Sequence, residues 1–185
     1  MMRELLWRAV ARVVTIPAVT DWLIQRSLRT PYSAIPSRDG KATYMDRWWL
    51  FNPYGKGPNG EVLPARWPLL PSIRIHYILL ADDDEHLHDH PWNARTILLR
   101  GWYQEERPSS IGTLEARSIH HRTRGYTGRL LFGDYHRIAF IPSEGVFTLF
   151  FTWKYRGTWG FKVDGKKVPW REYLAARKAA NQEGA

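Results

Sequence analysis

The chain has no cysteine among its 185 residues, which excludes disulfides, a thiol nucleophile and every thiolate metal site. That absence fits a reducing compartment. Long apolar runs are also missing: none approaches the roughly 18 residues needed to cross a bilayer. No P-loop, Gly-x-Ser-x-Gly elbow or kinase signature set is present, which argues against nucleotide hydrolysis and serine catalysis. Acidic residues are in deficit, with 18 Asp and Glu against 27 Lys and Arg, a formal charge of +9. A basic excess favours contact with polyanions, so nucleic acid enters as a partner class. The arginines are scattered rather than blocked, which predicts general solubility and weak nonspecific attraction.

Aromatic residues, by contrast, are plentiful. Ten tryptophans in a chain of this length predict an aromatic core, with rings available to line a cavity. Residues 2–15 set Leu5, Leu6, Trp7, Val10, Val13 and Val14 at helical spacing among Arg3, Arg8 and Arg12. The pattern predicts an amphipathic helix lying on the domain, and a membrane is not the favoured partner. Pro17 marks a break, Thr20 and Asp21 offer caps for a second helix to about Leu28, and Pro31 follows it.

Strand patterns then take over. Tyr44–Phe51, Ser72–Leu80, Ala94–Glu105 (kinked or ended at Gly101), Glu115–Arg122, Arg129–Phe132, His136–Ile141, Val146–Tyr155 and Thr158–Val163 are each predicted as strands. Residues 52–71, with five prolines and three glycines, form a long loop. Asp164–Gly165 signals a hairpin, and from Pro169 the pattern turns helical. Many short strands without βαβ alternation mean a β-sandwich or barrel and exclude Rossmann and TIM folds. The expected division is a helical and loop extension over 1–43, the β-barrel over 44–168, and a C-terminal helix and tail over 169–185.

Three of seven histidines fall in His86-Leu87-His88-Asp89-His90. On an extended chain, residues two apart share a face, so His88 and His90 can aim two imidazoles at one point. A metal site of this kind needs a third ligand from a distant segment, and His136, opening a later strand, is the best candidate.

These residues resemble the two short motifs of the cupins. His88-Asp89-His90 and Gly101 match the first motif; Gly125, Gly133 and His136 match the second. The chain departs from the pattern where Asp82 replaces a glycine, Ala94 the glutamate ligand, Leu131 a proline and Phe140 an asparagine. The run Ile73–Tyr103, with LLFGDYHRI, TLFFTWKYRGTWGF and VPWREYL, looks like a group of small cupin-like proteins common in tailed phages and prophages. The resemblance implies a mainly β fold: a single cupin-type double-stranded β-helix, or jelly-roll barrel, with helices at both ends. It implies a divalent transition metal (Fe, Mn, Ni, Cu or Zn) held by His88, His90 and His136, and a cytoplasmic setting in a bacterium or phage-infected host. The three-histidine set is nearer to dioxygenase-type cupins than to the 2-His-1-carboxylate enzymes.

Around those ligands, Glu105 is a candidate base or fourth ligand, and Tyr103 and Tyr135 are candidate proton donors. His76, sharing a strand face with Arg74, is a candidate supporting or substitute ligand. Asp89 is expected to turn the chain or to accept a hydrogen bond from a ligand's second nitrogen. A small-molecule metalloenzyme is the leading expectation. A non-catalytic module for nucleotide, sugar or nucleic acid is the second, and a phage structural or assembly factor, dimerising through sheet edges or the N-terminal helices, the third.

Overall fold

Branched and aromatic residues at alternate positions drive more of the chain into strands than into helices. The computed structural model describes residues 2–58, 61–109 and 116–183. Helices α1 (Met2–Val14) and α2 (Pro17–Ser27) come first, then β1 (Ile35–Pro36), β2 (Thr43–Phe51), β3 (Gly55–Lys56), β4 (Val62–Leu63) and β5 (Ser72–Ile78). Next are β6 (Trp92–Arg100), β7 (Trp102–Pro108), β8 (Arg117–Thr123), β9 (Thr127–Leu130) and β10 (Arg137–Phe140). The chain closes with β11 (Val146–Tyr155), β12 (Gly160–Val163), β13 (Lys166–Pro169) and α3 (Trp170–Glu183).

The main sheet runs β1-β2-β5-β11-β6-β9, antiparallel at each pairing. The opposing sheet has β10-β7-β8 as its regular part and is extended by single bridges. His88 exchanges both backbone hydrogen bonds with His136, each 2.9 Å, and bridges on its other side to Phe161. Residues 87–89 therefore act as a strand between β12 and the start of β10. Eight strands then lie in the order β5-β11-β6-β9 on one side and 87–89, β10, β7, β8 on the other. The chain is thus mainly β, with helices at both ends.

Both faces of the main sheet are covered, and they differ in chemistry. Ile75, Ile97, Leu99, Leu149 and Phe151 face α1 and α2, where Trp7, Val10, Ala11 and Leu23 complete an apolar cluster. The alternate residues, Ser72, Arg74, His76, Thr96, Thr148 and Thr152, are buried too, yet polar. Period two sends them to the other side, into the barrel. Apolar Val146, Ile78 and Leu98 fill one end of that interior with Tyr103 and Ile138. No helix among the described residues is long and apolar enough to cross a membrane.

Several boundaries differ from the sequence expectation. The second helix starts at Pro17, not at Thr20: Ile16 is its N-cap, and Pro at the first position needs no donor. Thr20 instead donates its hydroxyl to the Val14 carbonyl at 2.7 Å. Ala94–Glu105 is two strands in two sheets, divided at Gly101. Its φ is +86°, and a Cβ there would meet the Gly145 carbonyl at 2.9 Å. The strand expected over Arg129–Phe132 lies two residues earlier, as β9, and includes Gly128. The proline-rich loop contains a small hairpin, β3–β4. The Asp164–Gly165 hairpin forms as expected, both residues having positive φ. Glu115, the expected start of a strand, and residues 184–185 of the tail lie outside the described residues.

Candidate metal centre

His88 is fixed by its two-sided backbone bridge, and the same bridge brings in His136 from the far end of the sequence. His90 follows two residues on, just before Pro91. One ring nitrogen from each of the three lies within 4.8 Å of the others. His90 Nε2 and His136 Nε2 are 2.8 Å apart. His86, though part of the same run, turns away, and its Nδ1 is 2.9 Å from the Tyr173 hydroxyl on α3.

The protons on these rings are set by their neighbours. His136 Nδ1 lies 3.0 Å from Glu105 Oε1. The carboxylate keeps the proton on Nδ1, so the Nε2 lone pair points toward His90. Glu105, 1% exposed, also accepts from Arg107 at 2.8 Å and from Arg122 Nε at 2.8 Å. Burial alone would raise its pKa, but hydrogen bonds from His136 and Arg107 outweigh that and hold it well below the usual carboxylate range. Both its oxygens are engaged, which places it behind His136. Asp82 stands 3.8 Å from His88 Nδ1 and accepts the Ile138 N–H at 2.7 Å and the Tyr44 hydroxyl.

Two of the three imidazoles are held neutral by their surroundings. Burial lowers His88 to about 4, partly opposed by Asp82. His90 is held well below its ordinary value, by burial first and then by His136, His88, His76 and Arg74. Neutral rings at neutral pH are what ligation requires. With metal–nitrogen bonds of about 2.0–2.1 Å, two ligands at right angles sit about 2.9 Å apart, close to the His90–His136 spacing. The His88 side chain retains 16% exposure, so the cluster touches solvent.

The other expected residues are placed as follows. Tyr103 is buried in the apolar end of the barrel, and burial, then Glu105, raises its phenol well above the ordinary range. Tyr135 lines a surface cavity of about 450 Å³ with Arg107, Pro108, Gly133, Asp134 and Lys162, outside the three histidines. Asp89 is fully buried but serves the scaffold. It accepts the Gly160 N–H at 2.7 Å and Lys167 Nζ at 2.6 Å. Of its two expected tasks, turning and tying the chain is the one these contacts perform.

His76 stacks on Phe150 at 4.8 Å, and Phe150 also meets His90 at 5.8 Å, so the strand-face reading brought it near the cluster. Its Nε2 is buried without a hydrogen-bond partner among the described residues. The residues that sequence reasoning undervalued are Arg107 and Arg122, which balance Glu105, and Arg74. The alternation Ser72-x-Arg74-x-His76 in an otherwise branched strand was the available signal.

No protein-family model matches the chain, and no curated protein does. Among solved structures, Fe(II)-HppE with the alternative substrate (S)-1-HPP is similar at 10% identity and TM-score 0.44, over 65% of this chain and 55% of that one. The chain thus spans just over half the length of that protein. A cupin 2 conserved barrel domain protein from Rhodopseudomonas palustris is similar at 15% identity and TM-score 0.42, over 80% and 82%. A cupin-like protein from Thermotoga maritima is similar at 14% identity and TM-score 0.41, over 79% and 93%.

Proposed function

We propose that His88, His90 and His136 bind a divalent transition metal and that the chain uses it on a small molecule, in dioxygenase-like chemistry. The observation that carries this reading is the convergence of the three ring nitrogens within 4.8 Å, on segments 46 residues apart joined by a two-way backbone bridge. The set is all imidazole, which suits Fe, Mn, Ni, Cu or Zn. When bound, such a metal supplies Lewis acidity and open positions for small ligands. Glu105 fixes the His136 tautomer and raises its basicity. The His90–His136 contact holds one proton between two nitrogens, and for both rings to ligate through Nε2 the His90 proton would have to sit on Nδ1. Tyr103 stays protonated and can serve as a proton donor but not as a base, while Tyr135 faces the neighbouring cavity. The resemblance to phage and prophage proteins would place this activity in a bacterial or phage-infected cytoplasm.

Elemental analysis of untagged protein, purified without added metal, tests the reading. Near-stoichiometric iron, manganese, nickel, copper or zinc that disappears in the His88→Ala, His90→Ala double variant is the expected result. No metal in the wild type, and none taken up from added Fe(II), Mn(II), Ni(II), Cu(II) or Zn(II), refutes it. The charge of +9 favours a second reading, a non-catalytic module for a nucleotide, sugar or nucleic acid. That reading requires binding that weakens steeply with salt in a gel-shift assay.

A further inference from the structure

The inward face of the main sheet carries two rows across its strands. Trp49, Arg74, Phe150 and Thr96 are successive cross-strand partners, and so are Arg47, His76, Thr148 and Leu98. Cross-strand partners share a face, so Arg74, His76 and Arg47 are neighbours on it. Arg74 is 1% exposed. Its guanidinium lies among rings, 5.2 Å from Trp92, 5.3 Å from Trp49, and 5.4 Å from both Tyr54 and Phe150. Its one side-chain hydrogen bond among the described residues is to the Tyr54 hydroxyl at 2.8 Å, and its Nε is buried without a partner.

A buried guanidinium ordinarily meets a carboxylate. Here none is within ion-pair distance among the described residues, and burial pushes the Tyr54 phenol up to about 12, so it gives no counter-charge. A second cation stands close by. Arg47 lies 4.6 Å and Arg74 5.9 Å from the same Tyr32 ring, and the Arg47 side chain donates, among the described residues, to the Ser33 carbonyl and hydroxyl. Arg47 is half-buried, so the pair leads from the surface inward. The rings offset part of the cost of burying the charge, but they leave Arg74 Nε and His76 Nε2 unsatisfied. Phe150 links this group to the histidine cluster, touching Arg74, His76 and His90.

We infer that Arg74, flanked by Arg47 and His76, receives the oxyanion group, carboxylate or phosphate, of a small acid whose remainder reaches the three histidines. The second half of this statement rests on the proposed function; the anion site itself stands on its own contacts. Carboxylate and phosphate each present two oxygens that match the guanidinium fork, and the aromatic walls exclude the water that would compete.

The test uses the purified full chain and tryptophan fluorescence, since Trp49 and Trp92 flank the guanidinium. Acetate and inorganic phosphate are titrated separately at ionic strength held constant with chloride. We expect a saturable response to one of them, at least about tenfold weaker in Arg74→Met. Which anion responds identifies the head group. No response to either in the wild type, or an unchanged response in Arg74→Met, overturns the inference.

Melting of the anion-free proteins gives a second readout. Arg74→Met removes an unpaired buried charge at similar volume, so it should melt no lower than wild type. A clear fall assigns Arg74 to the scaffold and overturns the site. Should that variant not fold, Arg74→Lys carries the test. It keeps the charge but loses the fork, so a several-fold weaker response is expected, and an unchanged one overturns the site. The His88→Ala, His90→Ala variant must keep the anion response while losing metal. Metal without an anion response sinks this inference alone, and an anion response without metal sinks only the metal reading.

Discussion

Replacing Glu105 by Gln separates the two things this residue does. Its carboxylate holds three donors, His136 Nδ1 at 3.0 Å and Arg107 and Arg122 at 2.8 Å each. Gln keeps the volume, so no cavity forms, but it removes the charge and places an amide donor against one of three donors. Breaking a buried pair by neutralising one partner costs about 3–5 kcal/mol. The Arg107 and Arg122 side chains keep 21% and 18% exposure, so water can reach them once released, and the lower end of about 3 kcal/mol is expected.

The effect on metal follows from a different atom. The amide oxygen can still accept from Nδ1–H, so the His136 tautomer survives in one rotamer, but the ring becomes less basic. Loss of such an outer partner lowers metal affinity about 10–100-fold. Urea unfolding of the metal-free protein reads the first quantity, and competition with a chromophoric chelator reads the second. Arg122→Met is the control: it weakens the scaffold while leaving the His136–Glu105 contact in place, so stability falls and metal affinity holds. If Glu105→Gln lowers stability but leaves affinity within about threefold, the positioning role is refuted. Complete loss of metal would make Glu105 a ligand instead.

Asp89→Ala should destabilise the protein by about 2–4 kcal/mol in thermal melts, because it strands the Gly160 N–H and Lys167. Adding Lys167→Met should recover part of that loss, and no recovery would mean the pair is not coupled. At alkaline pH the buried phenols of Tyr44, Tyr54 and Tyr103, all raised chiefly by burial, should ionise only as the fold opens, as followed by phenolate absorbance. The folded state keeps protons that the unfolded chain releases, so stability is full below pH 10 and falls as pH rises toward 12. Tyr54 alone accounts for on the order of 3 kcal/mol. Smooth ionisation of all the tyrosines near pH 10 without unfolding would contradict this.

Much of the fold could be read from alternation alone. The SIRIHYI and VFTLFFTWKY runs became the central strands β5 and β11, paired as their patterns allow. The Asp-Gly turn placed β12 and β13. The three metal candidates were legible because His-x-His and a distant His at a strand start are a spacing signal. What alternation does not encode is sidedness. In β5 the apolar residues Ile73 and Ile75 go outward, because α1 and α2 wait there to cover them, and the polar set goes inward. A reader of the strand would expect the reverse. Nor does periodicity signal the second sheet's completion at His88, which rests on one residue with partners on both sides. The end of β6 was left open for a related reason. A glycine within a strand is compatible with a bulge or a break, and only the close approach of Gly145 decides for the break.

That inverted sidedness also bears on what the interior selects. The glutamate ligand of the resembled motif is replaced by Ala94, which packs with Leu130 and Phe150. The nearest carboxylate to His136, Glu105, is already balanced by Arg107 and Arg122. Asp82, 3.8 Å from His88 Nδ1, is the carboxylate left to offset a bound dication, which would still bring net positive charge into the barrel, where the low dielectric leaves charge poorly screened. On the same interior face, Arg74 adds another positive charge with no counter-ion among the described residues. With the proposed metal bound, its charge, offset in part by Asp82, and that of Arg74 would stand on either side of Phe150, and one anion spanning them would relieve both. A neutral sugar or an amine offers neither relief, so affinity in a series of small ligands should track negative charge before size. Restoring the missing carboxylate by Ala94→Glu should weaken that preference while leaving the metal in place.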